Sequence, residues 1–273
     1  MASQFIGEKN MSEVERLLYL NDISKLHGHK NIRFCKTDFL EAEFSEISQL
    51  DHDVILITGN SDYAITEDIT RNVPLNIKRW YAENCLSSAE FVEPIPLGLE
   101  NKEVSAREGH GIGYPERASE KERLLTRDMS NIKPTKGIYA NYRTHTNPSY
   151  RIPFTQMCLR SGFMDLEQPN LSLEEFFNKM LDYKMIVCPI GNGVDTHRLW
   201  EVLYSGRVPL TVKVGDYKIY EMYRKLPIVI LENENDLLNE DLIYEKYESV
   251  KDRSLEYSDQ TFWKNKIVRQ SSN

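Results

Sequence analysis

Met185-Ile186-Val187-Cys188-Pro189-Ile190-Gly191-Asn192-Gly193-Val194-Asp195-Thr196-His197-Arg198-Leu199-Trp200-Glu201-Val202-Leu203-Tyr204-Ser205-Gly206-Arg207-Val208-Pro209 is the stretch whose reading decides the fold. Its first six residues form an apolar run of the right length for a buried strand. Two glycines then bracket Asn192, and a helix opens with Asp195 or Thr196 at its N-cap and runs to Ser205. A strand, a glycine turn and a helix in that order form the repeating unit of a parallel α/β sheet. They also set the free N–H groups of a helix N-terminus beside anything that lies against the turn.

The pattern extends in both directions. Upstream, residues 31–35 read as a strand, 39–50 as a helix, 53–58 as a strand, 75–84 as a helix with apolar positions at helical spacing, and 91–97 as a strand. Between 101 and 136 charges dominate and Gly109, Gly111, Gly113, Pro115 and Pro134 punctuate the chain, so this segment reads as a linker carrying a short helix over 119–128. A second series follows: strand 137–142, helices 150–161 and 173–183, strand 185–190, helix 196–205, and strands 208–212 and 228–231. Helices over 240–251 and 258–268 end the chain, and the last is expected to cross back onto the first half. The fold class is therefore α/β, with an N-terminal domain over 1–130 and a C-terminal domain over 131–273 facing each other across a cleft.

The chain has 273 residues, 40% hydrophobic and 28% charged, which is ordinary for a folded protein and long enough for two cores. A net charge of −8 disfavours a nucleic-acid partner, while leaving room for a local basic groove. No basic segment leads into an apolar core at the N-terminus, and no eighteen apolar residues run together, so neither a signal peptide nor a membrane span is expected. The four cysteines, Cys35, Cys85, Cys158 and Cys188, are scattered without metal-site spacing and read as buried free thiols. A cytoplasmic protein is the expectation.

Asp195, Thr196, His197, Arg198 and Glu201 cluster within about one helical turn. Spacings of three and four put His197, Arg198 and Glu201 on one face near the glycine loop. Arg198 and the first-turn N–H groups suit a phosphate, and Glu201 suits the two hydroxyls of a ribose. Taken as isolated residues, the cluster is more simply a surface Arg198–Glu201 salt bridge beside a turn.

The whole segment changes that balance. From Gly191 to Leu203, with Gly206 and Pro209 following, it resembles the donor-site signature of exostosin-like glycosyltransferases, closest in character to viral or bacterial members that build polysaccharides. Pro94-Ile95-Pro96-Leu97-Gly98-Leu99-Glu100-Asn101 resembles the short segment that closes the first domain in that family. The resemblance implies a GT-B fold, two Rossmann-like domains with the donor nucleotide held mainly by the second. It also implies an inverting transfer from a UDP-sugar, with xylose favoured, to a hydroxyl of a glycan acceptor, with no cofactor or metal required. Glu201 matches the ribose acid, Arg198 and His197 match groups near the diphosphate or sugar, Asn192 and Asp195 shape the loop or touch the sugar, and Thr196 is counted with them on the donor-binding side. Trp200 and Leu203 read as packing residues.

Within that frame Arg143, Thr144 and Arg151, in the segment after the strand 137–142, are candidates to hold diphosphate oxygens. A solvated polar loop is the other reading. Inversion needs a base on the acceptor hydroxyl, and Asp62, after the strand 53–58, is the candidate, with Glu83, Glu100 and His110 as rivals and a turn cap as the alternative. Tyr63, Trp80 and Tyr81 offer aromatic faces to an acceptor sugar, although Trp80 also suits a core. His27 and His29 lack a third ligand nearby. The rival function is a nucleotide-sugar or glycan-binding module that keeps the donor site without a working base.

Overall fold

A computed structural model of the chain describes residues 16–102, 115–129 and 131–271. Two parallel sheets dominate it. The first holds β1 (Ile32–Lys36), β2 (Val54–Gly59), β3 (Ile77–Ala82) and β4 (Val92–Pro94) in the order β1-β2-β3-β4. The second holds β5 (Lys136–Ala140), β6 (Met164–Leu166), β7 (Tyr183–Val187), β8 (Val208–Val212) and β9 (Val229–Leu231) in the order β6-β5-β7-β8-β9. Two α/β halves, each with a sheet of this Rossmann-like kind, make up the fold.

β2 is buried at every position because both of its faces are covered, and this is why it reads as a continuous apolar run. Val54 and Leu56 face a core with Leu40, Ile47 and Trp80, under α2 (Leu40–Ile47). Ile55 and Ile57 face the opposite way, into a larger core that both halves share. That core takes in α1 (Leu20–Ser24), Trp200 and Leu203 of α7 (His197–Tyr204), Tyr220 and Tyr223 of α8 (Ile219–Tyr223), and Trp263 and Ile267 of α10 (Gln260–Gln270). The chain's last helix thus packs on the first sheet, where Tyr81 donates its hydroxyl to Gln270 at 2.7 Å and Lys266 pairs with Glu93. A third core lies under α5 (Pro148–Ser161) and α9 (Glu240–Val250), against the outer face of the second sheet.

One element differs in kind from the sequence expectation. Residues 75–84 form no helix but the strand β3, paired with β2 and β4. Ile77, Trp80 and Tyr81 fall at spacings of three and four, which imitates a helical stripe. Trp80 and Tyr81 instead bury opposite faces of a covered strand, and Trp80 donates its indole N–H to Thr58 of β2 at 2.8 Å. Aromatic and β-branched residues suit that doubly buried position.

The connections differ too. β2 reaches β3 through the single turn α3 (Glu67–Thr70), and β3 reaches β4 with no helix between them. Glu67 of α3 braces that loop by accepting from the hydroxyls of Ser87 and Ser88. The presumed linker contains α4 (Pro115–Leu125), which starts earlier than the sequence suggested and joins the structure through buried contacts. α6 (Leu173–Met180) opens with a reciprocal Ser172–Glu175 capping box, and β6, α1 and α8 are too short to show a period in the sequence.

Candidate functional site

The second sheet reverses direction at one place. From β5 the chain adds β6 on one side and then β7 on the other, so the crevice between the carboxyl ends of β5 and β7 is the topological switch point, where open α/β sheets bind ligands. A cavity of about 240 Å³ lies there. Arg143 of the loop after β5, Arg198 of α7 and Arg117 of α4 line it, with Arg151 behind them, and among the described residues no Asp or Glu lines it. Phe176, Tyr142 and Leu173 supply apolar walls. A second depression, also of about 240 Å³, shares Tyr142, Arg143 and Pro169 and adds Thr144.

The arginines are not equivalent. Arg151 is buried and its donors are occupied: Nε reaches the carbonyl of Ile190 at 2.7 Å, and the terminal nitrogens reach those of Arg143 at 2.8 Å and Pro189 at 3.3 Å. It ties the loops after β5 and β7 together while its charge stays at the base of the cavity, and burial lowers its pKa. Arg198 lies 3.9 Å from the centre of the Phe176 ring, held by the carbonyl of Asn141 at 2.8 Å and by Glu201 at 3.2 Å. Stacking of this kind orients a guanidinium and leaves its edge for a planar or tetrahedral anion. Arg143 is exposed, and no carboxylate pairs with it among the described residues.

Glu201 is buried, with one oxygen 2.7 Å from Lys121 and the other 3.2 Å from Arg198. Burial pushes its pKa up, but Lys121 and Arg198 outweigh that and hold it down at about 2. Both carboxylate oxygens are therefore engaged by protein cations, and a ribose would have to share them. Lys121 also pairs with Glu100 at 2.7 Å, which takes Glu100 out of contention as a free base.

Asp195 faces inward. Its Oδ1 accepts from Tyr223 at 2.7 Å, Trp200 at 2.8 Å and the Thr196 N–H at 2.9 Å, and its Oδ2 accepts from the Leu97 N–H of the other half at 2.9 Å. Burial raises its pKa, these donors lower it, and the balance falls at about 6. Asp195 therefore shapes the loop. Thr196 is the N-cap of α7 but makes no side-chain cap, so the first-turn N–H groups are not blocked by it. His197 donates Nδ1–H to the carbonyl of Gly98 at 2.9 Å, since a carbonyl only accepts. Burial and then Lys121 lower its pKa, which makes the neutral ring its resting form.

These contacts close the seam between the halves. At the glycine loop the expected open gap is replaced by direct hydrogen bonds: Leu97 to Asp195, His197 to Gly98, and Asp195 N–H to Asn84 Oδ1 at 3.1 Å. Gly193 is a glycine because a Cβ there would lie 2.5 Å from Asn84 Oδ1, a contact from the first half that the sequence could not announce. Asn192 donates to Asp62 at 3.1 Å, so the structure brings the proposed base to the glycine loop.

The rival bases fare differently. Glu83 is buried, accepts from the Asn60 N–H at 2.7 Å, and is pushed well above the usual carboxylate range by burial, with Asp195 and Asp62 nearby adding to it. It is a buried carboxyl of the seam, with no surface to offer a substrate. His110 lies outside the described residues. Of the aromatic candidates, Trp80 and Tyr81 are core residues and Tyr63 is 65% exposed. His27 accepts from the Phe34 N–H at 3.0 Å, a local structural bond. Arg117, Lys121, Asn84 and Phe176 are the residues sequence reasoning missed. Only Lys121 leaves a trace there, as a lysine in the same helical stripe as Ala118, Leu124 and Leu125.

Among the described residues no helix is long and apolar enough to cross a membrane, no three His, Cys, Asp or Glu side chains gather as a metal-ligand set, and the four cysteines are buried and free. Compared with known proteins, the chain matches no family model and no curated sequence.

Proposed function

We propose that this protein is a GT-B-type glycosyltransferase that takes a sugar from a nucleoside diphosphate, read as UDP, and passes it with inversion to a hydroxyl of a glycan. The observation that carries the reading is the arginine-lined cavity at the switch point of the second sheet, lined by no carboxylate among the described residues and bordered by Pro189, at the start of the loop that meets Asp62. Arg143 and Arg198 take the diphosphate, with the first turn of α7 adding its N–H groups. Pro189 lines the cavity and Asn192, three residues further on, donates to Asp62 at 3.1 Å, so a single loop links the phosphate cradle to the carboxylate.

In the step itself, Asp62 accepts the proton of the acceptor hydroxyl as its oxygen bonds to the anomeric carbon. The bond from that carbon to the diphosphate oxygen breaks, and the electron pair leaves on UDP, where the arginines stabilise it. Tyr63, exposed beside Asp62, offers the acceptor an aromatic face. Arg151, Asp195 and His197 act at one remove, by fixing the loops and the seam.

A second reading draws on Glu201, both of whose oxygens are engaged by Lys121 and Arg198. In it the cavity binds a nucleotide sugar or glycan without transfer. Release of UDP from a panel of UDP-sugars, starting with UDP-xylose, in the presence of glycan acceptors separates the two. On the transferase reading Asp62→Asn lowers turnover by about 10²–10⁴ and leaves UDP affinity intact. Tight UDP binding with no release for any acceptor establishes the module instead, and a Glu201→Ala protein that binds UDP like the parent removes the ribose role.

A further inference from the structure

The helix that joins the halves also reaches the cavity. On α4 the buried positions are Ala118, Lys121, Leu124 and Leu125. A lysine in such a stripe is rare unless paired, and Lys121 is paired twice, with Glu100 from the first half and Glu201 from α7. It pins the helix to both halves at once. A further anchor comes from Glu122, which accepts from the Tyr19 hydroxyl at 2.7 Å.

Arg117 stands four residues before Lys121, one turn away on the same side of the helix, and lines the cavity with Arg143 and Arg198. Arg123 of the same helix pairs with Glu174 at 3.8 Å, whereas no carboxylate pairs with Arg117 among the described residues. Three guanidinium groups from three separate elements therefore line one cavity, and no carboxylate lines it among the described residues. Arg198 is already paired with Glu201, whereas no carboxylate pairs with Arg117 or Arg143 among the described residues, so the cavity keeps positive charge that an anion with several oxygens can meet from three sides.

We propose that Arg117 is a phosphate-binding residue and that α4 forms the third wall of the diphosphate site, so that ligand binding and docking of the joining helix reinforce each other. The inference rests on the nucleoside diphosphate reading above and adds a residue from outside the second half. Arg117 binds the diphosphate through its fork of donors, and Lys121 holds α4 at the height that lets it do so.

The test is calorimetric titration of the full chain with UDP and with inorganic pyrophosphate, for the parent, Arg117→Gln and Arg143→Gln. A lost hydrogen bond to a charged group predicts that Arg117→Gln weakens both ligands by about tenfold or more. It also predicts that affinity becomes less sensitive to ionic strength, which a merely structural role for an exposed side chain would not alter. Hydrogen exchange supplies a second readout, since UDP slows exchange of the α4 amides in the parent and not in Arg117→Gln. If Arg143→Gln loses affinity while Arg117→Gln binds both ligands as the parent does, the role of Arg117 is overturned and the nucleotide reading stands. A parent that binds neither UDP nor pyrophosphate overturns both.

Discussion

Substituting Gly193 by alanine tests the most specific claim in the structure, that the glycine loop is shaped by the opposite half of the molecule. A Cβ at this position would lie 2.5 Å from Asn84 Oδ1, 2.6 Å from Nδ2 and 2.8 Å from Cγ. Asn84 is buried and cannot swing aside without loss: its Nδ2 donates to the Ser61 carbonyl at 3.2 Å and its Oδ1 accepts from Asp195 N–H at 3.1 Å. Overpacking of this kind costs about 1–3 kcal/mol, and orphaning the Asn84–Asp195 bond about 1–3 more. Restricting the unfolded chain returns about 0.4–1 kcal/mol, for a net destabilisation of about 1–5.6 kcal/mol. Urea unfolding followed by circular dichroism measures it. Because the cost lies in one contact, the Asn84→Ala, Gly193→Ala double variant should be more stable than the sum of its single losses by more than about 1 kcal/mol. A Gly193→Ala protein within 0.5 kcal/mol of the parent, or strictly additive losses, would refute the reasoning.

Two further outcomes follow from the buried charges of the same segment. Asp195 keeps its proton in the folded state up to about pH 6 but loses it near 3.8 when unfolded, so between those values the native state binds more protons and stability falls as pH rises. The stability of the parent minus that of Asp195→Asn should therefore decline by about 2 kcal/mol from pH 4 to 6, and a flat difference across pH-dependent unfolding curves excludes it. Lys121→Met leaves Glu100 without its cation and Glu201 with Arg198 alone, which predicts a loss of about 3–5 kcal/mol at neutral pH. That loss should shrink as acid protonates the two carboxyls, and chemical denaturation at pH 7 and pH 4 shows whether it does.

What the sequence makes legible is what local chemistry decides. β7, the glycine loop and α7 can be read from residues 185–205 because an apolar run, a glycine pair and an N-cap act within a few residues of each other. The pairing of Arg198 with Glu201 follows from helical geometry in the same way. β3 is misread because period alone cannot separate a doubly buried strand from a helix when Ile77, Trp80 and Tyr81 fall at helical intervals. The site's other members come from contacts that cross the chain at long range. Lys121 is 80 residues from Glu201, and Asn84 meets Asp195 across 111. No local pattern encodes such a meeting.

Asp195 and Glu201 show how far surroundings, and not residue type, decide a carboxylate's part. The two lie six residues apart and both are buried, yet one is held near pKa 6 and the other near 2. Asp195 meets neutral donors, an indole, a phenol and two backbone N–H groups, which satisfy its lone pairs without repaying the full cost of burying a charge. Glu201 meets two cations, which does repay it. The first arrangement suits a clamp, because neutral directional bonds from both halves fix the loop in place. The second suits a cradle, because a carboxylate that stays ionised holds Arg198 by its Nε while the Asn141 carbonyl holds Nη1, which fixes the guanidinium at the cavity wall. On this argument the acid predicted to grip the ribose acts first on the arginine beside it, and its effect on nucleotide affinity would be transmitted through Arg198.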